Sequence, residues 1–203
     1  MMSMKLIGSI WLVMAMATVA QADNAAVLDT TGQALQSGVD YYIKPAITDN
    51  GGRFTLIDRN NSCPLYVGQE NTSGPEGFPV IFAPFEEGET VVREGRDQKI
   101  TFSASTTCVQ STTWKLGEKQ AETQRRLIVT GSDEVESPRG ATSNYFNINK
   151  QADFDGIYYL QWCPAEVCPI CKFICGNVGA LVENDKRLLA LDGSVLPVVF
   201  ERA

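Results

Sequence analysis

The chain has 203 residues, 17 basic against 24 acidic, no histidine and a formal net charge of −7 at pH 7. An acidic chain without a Lys/Arg block is repelled by phosphate backbones, so nucleic acid is excluded as a partner. The absence of histidine removes Ser-His-Asp and Cys-His activation of a nucleophile and the usual zinc-water sites.

The first 22 residues have the features of a secretory signal peptide. Lys5 precedes an apolar stretch over residues 6–19, and Ala20-Gln21-Ala22 supplies small residues where cleavage occurs. The apolar stretch is shorter than the ~20 residues that a membrane span requires. We therefore predict a signal peptide over 1–22, a secreted chain without a membrane anchor, and one domain over 23–203.

The rest of the chain has the pattern of an all-β protein. About a dozen short segments are apolar or alternating and are bounded by Gly, Pro, Asn or Asp. They lie at 41–45, 53–58, 64–68, 79–83, 90–92, 99–103, 112–116, 126–130, 145–150, 157–162, 179–183, 187–191 and 196–200. This number and spacing predict a barrel or a sandwich, and the strand-turn pattern recurs roughly every 60 residues.

Three further features concern packing. The polar segment 116–126 lacks an apolar stripe and is predicted to be a hairpin tip rather than a helix. Trp114 and Trp162 lie within strand patterns and are predicted to be core residues. Tyr41, Tyr158 and Tyr159 are expected to pack with their polar tips outward.

All six cysteines follow the signal peptide, and an even number in a secreted chain predicts three disulfides. Zinc is the alternative, because Cys168-Pro-Ile-Cys171 is a C-x-x-C. It is disfavoured because histidine is absent and the late cysteines lack the spacing of a zinc module. We predict neither metal nor cofactor, and the cysteine count alone leaves the pairing open.

Two N-glycosylation sequons begin at Asn60 and Asn71, both in turn-rich surroundings that suit glycan acceptors.

Catalysis is not indicated by the remaining polar residues. Glu86 with Glu87, or Asp153 with Asp155, are nominal carboxylate pairs for glycoside hydrolysis. Neighbours within one loop rarely oppose each other across a substrate, so we predict a binding protein and not an enzyme.

The segment 27–43, VLDTTGQALQSGVDYYI, resembles the N-terminal signature of the plant Kunitz protease inhibitors, the soybean trypsin inhibitor type. The resemblance continues through SCPLYV (62–67), KITFS (99–103), STTWKL (111–116) and the cysteine-rich segment 158–179, and ends at 186–203. The late cluster of four cysteines is similar to that of the miraculin-like branch.

The resemblance implies a β-trefoil, with six hairpins that form a six-stranded barrel and a triangular cap with pseudo-threefold symmetry. It also implies the pairs Cys63–Cys108, Cys163–Cys175 and Cys168–Cys171. Members of the family are expected to be monomers that offer a convex, extended loop to a serine or papain-like cysteine endopeptidase.

In this chain the implied reactive-site loop is Pro84, Phe85, Glu86, Glu87 and Gly88. Members that inhibit trypsin have Arg or Lys at the pocket-filling position, which is Glu86 here. A carboxylate pressed against the buried Asp of the trypsin pocket is repelled. An asparagine that supports the loop in many inhibitors is replaced by Ser37, which offers fewer hydrogen bonds.

We therefore expect an inhibitor that is weak or inactive against trypsin. The alternative is a non-inhibitory binding or storage glycoprotein on the same scaffold, similar to miraculin or to the water-soluble chlorophyll proteins.

Overall fold

A computed structural model describes residues 24–47, 49–108, 110–132 and 140–203. The predicted signal peptide, 1–22, lies outside these residues. The strands are β1 (Tyr41–Pro45), β2 (Phe54–Ile57), β3 (Tyr66–Gln69), β4 (Val80–Pro84), β5 (Gln98–Phe102), β6 (Trp114–Lys119), β7 (Arg126–Thr130), β8 (Asn147–Lys150), β9 (Tyr158–Trp162), β10 (Gly176–Glu183), β11 (Lys186–Leu191) and β12 (Val198–Arg202). A short 3-10 helix, Gly140–Asn144, precedes β8.

Six of these strands form a closed ring. β1 pairs antiparallel with β4, β4 with β5, β8 with β9, and β9 with β12. A bridge between Gln98 and Phe146 connects β5 to the residue before β8. β12 pairs with β1 from Tyr41↔Arg202 to Pro45↔Val198, so the last strand closes the barrel against the first.

The other six strands form three hairpins, β2–β3, β6–β7 and β10–β11. Each hairpin contacts the other two, because β3 pairs with β7, β7 with β11, and β11 with β3. A six-stranded barrel with a three-hairpin cap is the β-trefoil that the resemblance implies, and that prediction is confirmed.

Aromatic rings fill the inside of the barrel. Trp114 lies against Phe54, Phe102 and Phe146, with ring centroids 5.8–5.9 Å apart. Both Trp114 and Trp162 are buried, as predicted. Burial of such side chains is a major part of the free energy that holds a β fold together.

The prediction of outward polar tips is wrong for Tyr41 and Tyr158, which are buried over their whole length, whereas Tyr159 is half-buried. The hydroxyls of Tyr41 and Tyr158 accept hydrogen bonds from the backbone N–H groups of Gln36 (3.0 Å) and Leu28 (2.9 Å). The N-terminal segment thus supplies the polar partners that solvent was expected to supply.

The predicted strands agree with the structure except at 90–92. Every other predicted segment overlaps a strand, and 116–126 contains the β6–β7 turn as expected. Val91 and Arg93 instead make isolated bridges to Gln36 and Ala26. A continuous ladder does not form because the partner segment folds back on itself, with Leu28 bridged to Ala34.

The disulfides are Cys63–Cys108, Cys163–Cys175 and Cys168–Cys171, the same pairs that the resemblance implies. The first spans 45 positions and the third only 3. Within the part of the chain that the structure covers, no helix has the length and apolar character to cross a membrane.

Of the three disulfides, Cys63–Cys108 closes the longest loop and should stabilise the folded state most. Replacing Cys63 and Cys108 together by Ser is expected to lower the free energy of unfolding by about 4 kcal/mol, because the unfolded chain regains the entropy of an open loop. Denaturant titration measures this loss. The same change at Cys168 and Cys171 should cost less than half as much, and equal losses would contradict the prediction.

A second prediction concerns pH and Asp29, whose carboxylate accepts hydrogen bonds from the N–H groups of Thr31 (2.8 Å) and Gln33 (3.0 Å). Burial acts to raise the pKa of Asp29, but these bonds and that from the Thr31 hydroxyl outweigh it and lower the pKa. Because the pKa of Asp29 is lower in the folded state than in the unfolded chain, the ionised carboxylate stabilises the fold at pH values above its unfolded-state pKa. This stabilisation is lost as the pH falls through the pKa of the folded state.

Asp29→Ala should therefore lower the free energy of unfolding by about 2 kcal/mol at pH 7. The difference from the unmodified protein should shrink as the pH falls below the ordinary value near 3.8. Denaturant titrations between pH 7 and pH 3 measure it. Glu122→Ala, on the exposed β6–β7 turn, is the control with little expected change at either pH, and a pH-independent loss for Asp29→Ala would refute the assignment.

Candidate functional site

The predicted reactive-site loop leaves the barrel at the end of β4 and is exposed from Phe85 to Gly88. The N–H of Glu89 donates to the carbonyl of Glu86 at 3.3 Å, which closes a turn over Glu87 and Gly88. Gly88 has φ = 86°, the value that the third position of a type II turn requires. The loop is therefore a turn at its tip, and not extended throughout as the resemblance implies.

Ser37 lies between the two arms of the loop. Its N–H donates to the carbonyl of Thr90 at 2.8 Å, and its hydroxyl donates to the carbonyl of Phe82 at 3.2 Å. The N–H of Gly38 donates to the same Phe82 carbonyl at 3.1 Å. The segment predicted to support the loop thus contacts one residue before it and one after it.

Phe85 is anchored at its backbone and partly covered at its ring. Its N–H donates to the carbonyl of Asp97 at 2.8 Å. Its ring packs edge-on against Tyr145, with centroids 5.4 Å apart, and remains 43% exposed. This side chain offers only part of its apolar surface to a partner.

Glu86 is held by an arginine that also binds a second acid. The Glu86 carboxylate forms a short ion pair with Arg96, and Arg96 forms another with Glu166. The hydrogen bond to Glu86 outweighs the effect of burial and raises the pKa of Arg96, with Glu166 adding to the shift. The side chain at the predicted pocket-filling position therefore points back to the barrel although it is 59% exposed.

Asp97 and Glu166 make a reciprocal connection beneath this ion pair. The N–H of Asp97 donates to Glu166 Oε2 at 2.7 Å, and the N–H groups of Glu166 and Val167 donate to Asp97 Oδ2 at 2.7 and 3.0 Å. Asn147 donates to Asp97 Oδ1 at 2.5 Å. Burial raises the pKa of Asp97, although the hydrogen bonds from Val167, Asn147 and Glu166 act to lower it.

Sequence reasoning missed Arg96, Asp97, Glu166 and Tyr145. The sequence identified Glu86 and Glu87 as loop acids. It does not indicate that Glu86 and Glu166, which are far apart along the chain, both bind Arg96. The signal that was available is Arg96-Asp97 itself, a charged pair placed immediately before a buried strand.

The other predicted residues lie in separate places. Asn60 is exposed, and exposed Asn71 donates to the carbonyl of Asp185 at 2.8 Å. Asp155 forms an ion pair with Lys150 at 2.6 Å, and this hydrogen bond lowers the pKa of Asp155. Asp153 lies two residues before it in the same exposed turn.

Among the residues that the structure describes, no group of three or more His, Cys, Asp or Glu side chains could hold a metal ion.

The chain is thus a closed trefoil barrel with three disulfides and an exposed loop that is hydrogen-bonded at both ends. The sequence model of the legume Kunitz family, described as trypsin and protease inhibitor, matches residues 27–202. The chain therefore belongs to this family, whose members are protease inhibitors and not enzymes.

Known relatives agree with this assignment. "Kunitz type trypsin inhibitor 104" of Medicago truncatula is 48% identical, covering 97% of this chain and 95% of the relative. Miraculin of Synsepalum dulcificum is 33% identical, covering 86% and 81%. Among solved structures, the Kunitz-type cysteine protease inhibitor PCPI-3 from potato superposes with a TM-score of 0.75 at 28% identity, covering 89% of this chain and 98% of that one.

Arg96 is predicted to restrain the loop tip. In Arg96→Ala the Glu86 carboxylate loses its partner, so the amides of residues 87–89 should exchange with solvent about fivefold faster. Hydrogen exchange followed by mass spectrometry measures this rate. Lys150→Ala removes a surface ion pair elsewhere and should leave those amides unchanged; equal effects of the two variants would rule out a local role for Arg96.

Proposed function

We propose that the protein is a secreted, monomeric endopeptidase inhibitor, made as a precursor with a signal peptide over 1–22 and a single trefoil domain over 23–203. It binds its target through the loop Pro84–Gly88. The observation that carries this proposal is that the loop is exposed at its tip while Phe82, Phe85 and Thr90 are hydrogen-bonded to Ser37 and Asp97. A loop ordered before binding loses little conformational entropy on docking.

Trypsin is not the expected target, because Glu86 occupies the pocket-filling position. Its carboxylate would meet the buried Asp of the trypsin pocket and would also have to leave Arg96. A chymotrypsin-like pocket that accepts Phe85, an acid-preferring enzyme that accepts Glu86, or a papain-like or subtilisin-like enzyme fits better.

The alternative is a binding or storage glycoprotein without inhibitory activity. The observations that favour it are the turn over Glu87 and Gly88 and the contacts that hold Phe85 and Glu86 against the barrel. The similarity to miraculin is compatible with it. Glycans at Asn60 and Asn71 would suit either function.

A protease panel separates these functions. Trypsin, chymotrypsin, subtilisin and papain are each titrated with the secreted protein and with the variant Phe85→Ala/Glu86→Ala. Stoichiometric inhibition that the variant loses supports the proposal. Inhibition that is unchanged in the variant places the site on another loop, and slow cleavage within 84–90 without inhibition supports the alternative.

The acidic residue itself is tested by charge reversal. Glu86→Lys should improve trypsin inhibition by on the order of 100-fold, because a repulsive contact in the pocket becomes an attractive one. The trypsin inhibition constant measures the change. Glu87→Lys is the matched control, since it makes the same change of charge one residue away, and an equal gain in both variants would show that only net charge matters.

A further inference from the structure

The most exposed large apolar side chains of the described residues belong to a segment outside the reactive-site loop. Ile170 and Ile174 are 92% and 93% exposed, whereas Phe85 is 43% exposed. Both isoleucines belong to the segment between Cys163 and Cys175, which we call the disulfide loop. Isolated exposed apolar residues are common, but two nearly full exposures on one constrained loop indicate a contact surface.

Two disulfides and one aromatic contact restrain the disulfide loop. Cys163–Cys175 closes it at the base, and Cys168–Cys171 closes a smaller ring within it. Phe173 turns inward and packs on Trp162, with centroids 5.2 Å apart. Ile170 and Ile174 therefore project from a restrained backbone, which reduces the entropy that is lost when a partner covers them.

The disulfide loop and the reactive-site loop share one set of contacts. Asp97 accepts hydrogen bonds from the N–H groups of Glu166 and Val167 in the disulfide loop, and its own carbonyl accepts the N–H of Phe85. Arg96 binds Glu86 on one side and Glu166 on the other. The two loops are thus neighbours whose relative position is set by Arg96 and Asp97.

The reactive-site loop is small for a stable protease complex. Such interfaces bury roughly 800 Å² on each partner and involve about 20–30 residues a side. Five loop residues, with Phe85 partly covered by Tyr145 and Glu86 bound to Arg96, supply a minor part of that area. A neighbouring surface has to supply more, and the disulfide loop has exposed apolar side chains to do so.

We propose that the disulfide loop is the second half of the protease-binding surface, with Ile170 and Ile174 as its apolar contacts. This inference rests on the proposed inhibitory function. The occupant is an endopeptidase with an apolar patch beside its cleft and basic residues facing Glu86 and Glu87. A second copy of this chain fits less well, because two acidic molecules repel each other.

The test uses the full secreted protein and the panel protease that it binds most tightly. Ile170→Ser/Ile174→Ser should weaken that binding at least about tenfold, since two apolar contacts near the interface are lost. Val182→Ser is the matched control, because Val182 is also apolar and 61% exposed but lies on β10 outside the disulfide loop. It should leave the affinity unchanged.

Hydrogen exchange supplies a second readout that does not depend on the variants. In the complex of unmodified inhibitor with the inactivated protease, amides within 170–174 should be protected together with those of 85–90. Protection at 85–90 alone, or an unchanged affinity of the isoleucine variant, would overturn this inference while leaving the inhibitory function intact.

Two other outcomes would also overturn it. If none of the four proteases binds the unmodified protein, the proposed function fails and this inference fails with it. If sedimentation shows a dimer that the isoleucine variant converts to monomer, the occupant is a second copy and not a protease.

Discussion

Pairing between the first and last strands is the constraint on which the rest of the molecule depends. β12 closes the ring against β1 over five residue pairs. Closure leaves the barrel no free edge, so the side chains that point inward must fill it and the connections must lie outside. The ring of Trp114 and its aromatic neighbours satisfies the first requirement. The connections between strands lie outside the barrel, where they form the exposed loops that distinguish one trefoil from another.

Within that frame, Asp97 organises the face that we assign to binding. Its carboxylate and backbone contact the reactive-site loop, the disulfide loop and β8, three segments far apart in sequence. Burial raises the pKa of this carboxyl, and its hydrogen bonds offset part of the cost of keeping it charged. The orientation of two surface loops therefore depends on one buried acid.

The local pattern of apolar and polar residues was sufficient to predict most of the strands, but it predicted little of the candidate site. The alternation within 41–45 and the apolar run within 126–130 depend only on neighbouring residues, and so does the polar tip at 116–126. Residues 90–92 have the same local pattern, but their partner is the irregular N-terminal segment, which sequence does not mark as strand. The loop position could be inferred from the resemblance, whereas its turn depends on the bond from Glu89 to Glu86. The Arg96 bridge depends on a contact with Glu166, 70 residues away along the chain.

The two disulfides of the disulfide loop can form only in an oxidising compartment. Thiols remain reduced in the cytosol, and disulfides form in the oxidising secretory pathway. A chain retained in a reducing compartment would lack the closures at Cys163–Cys175 and Cys168–Cys171. Glu166 would then sit on an open segment, and the contacts that orient Arg96 and Asp97 would weaken. The face that we propose for binding is thus complete only where these two disulfides have formed, which requires an oxidising compartment.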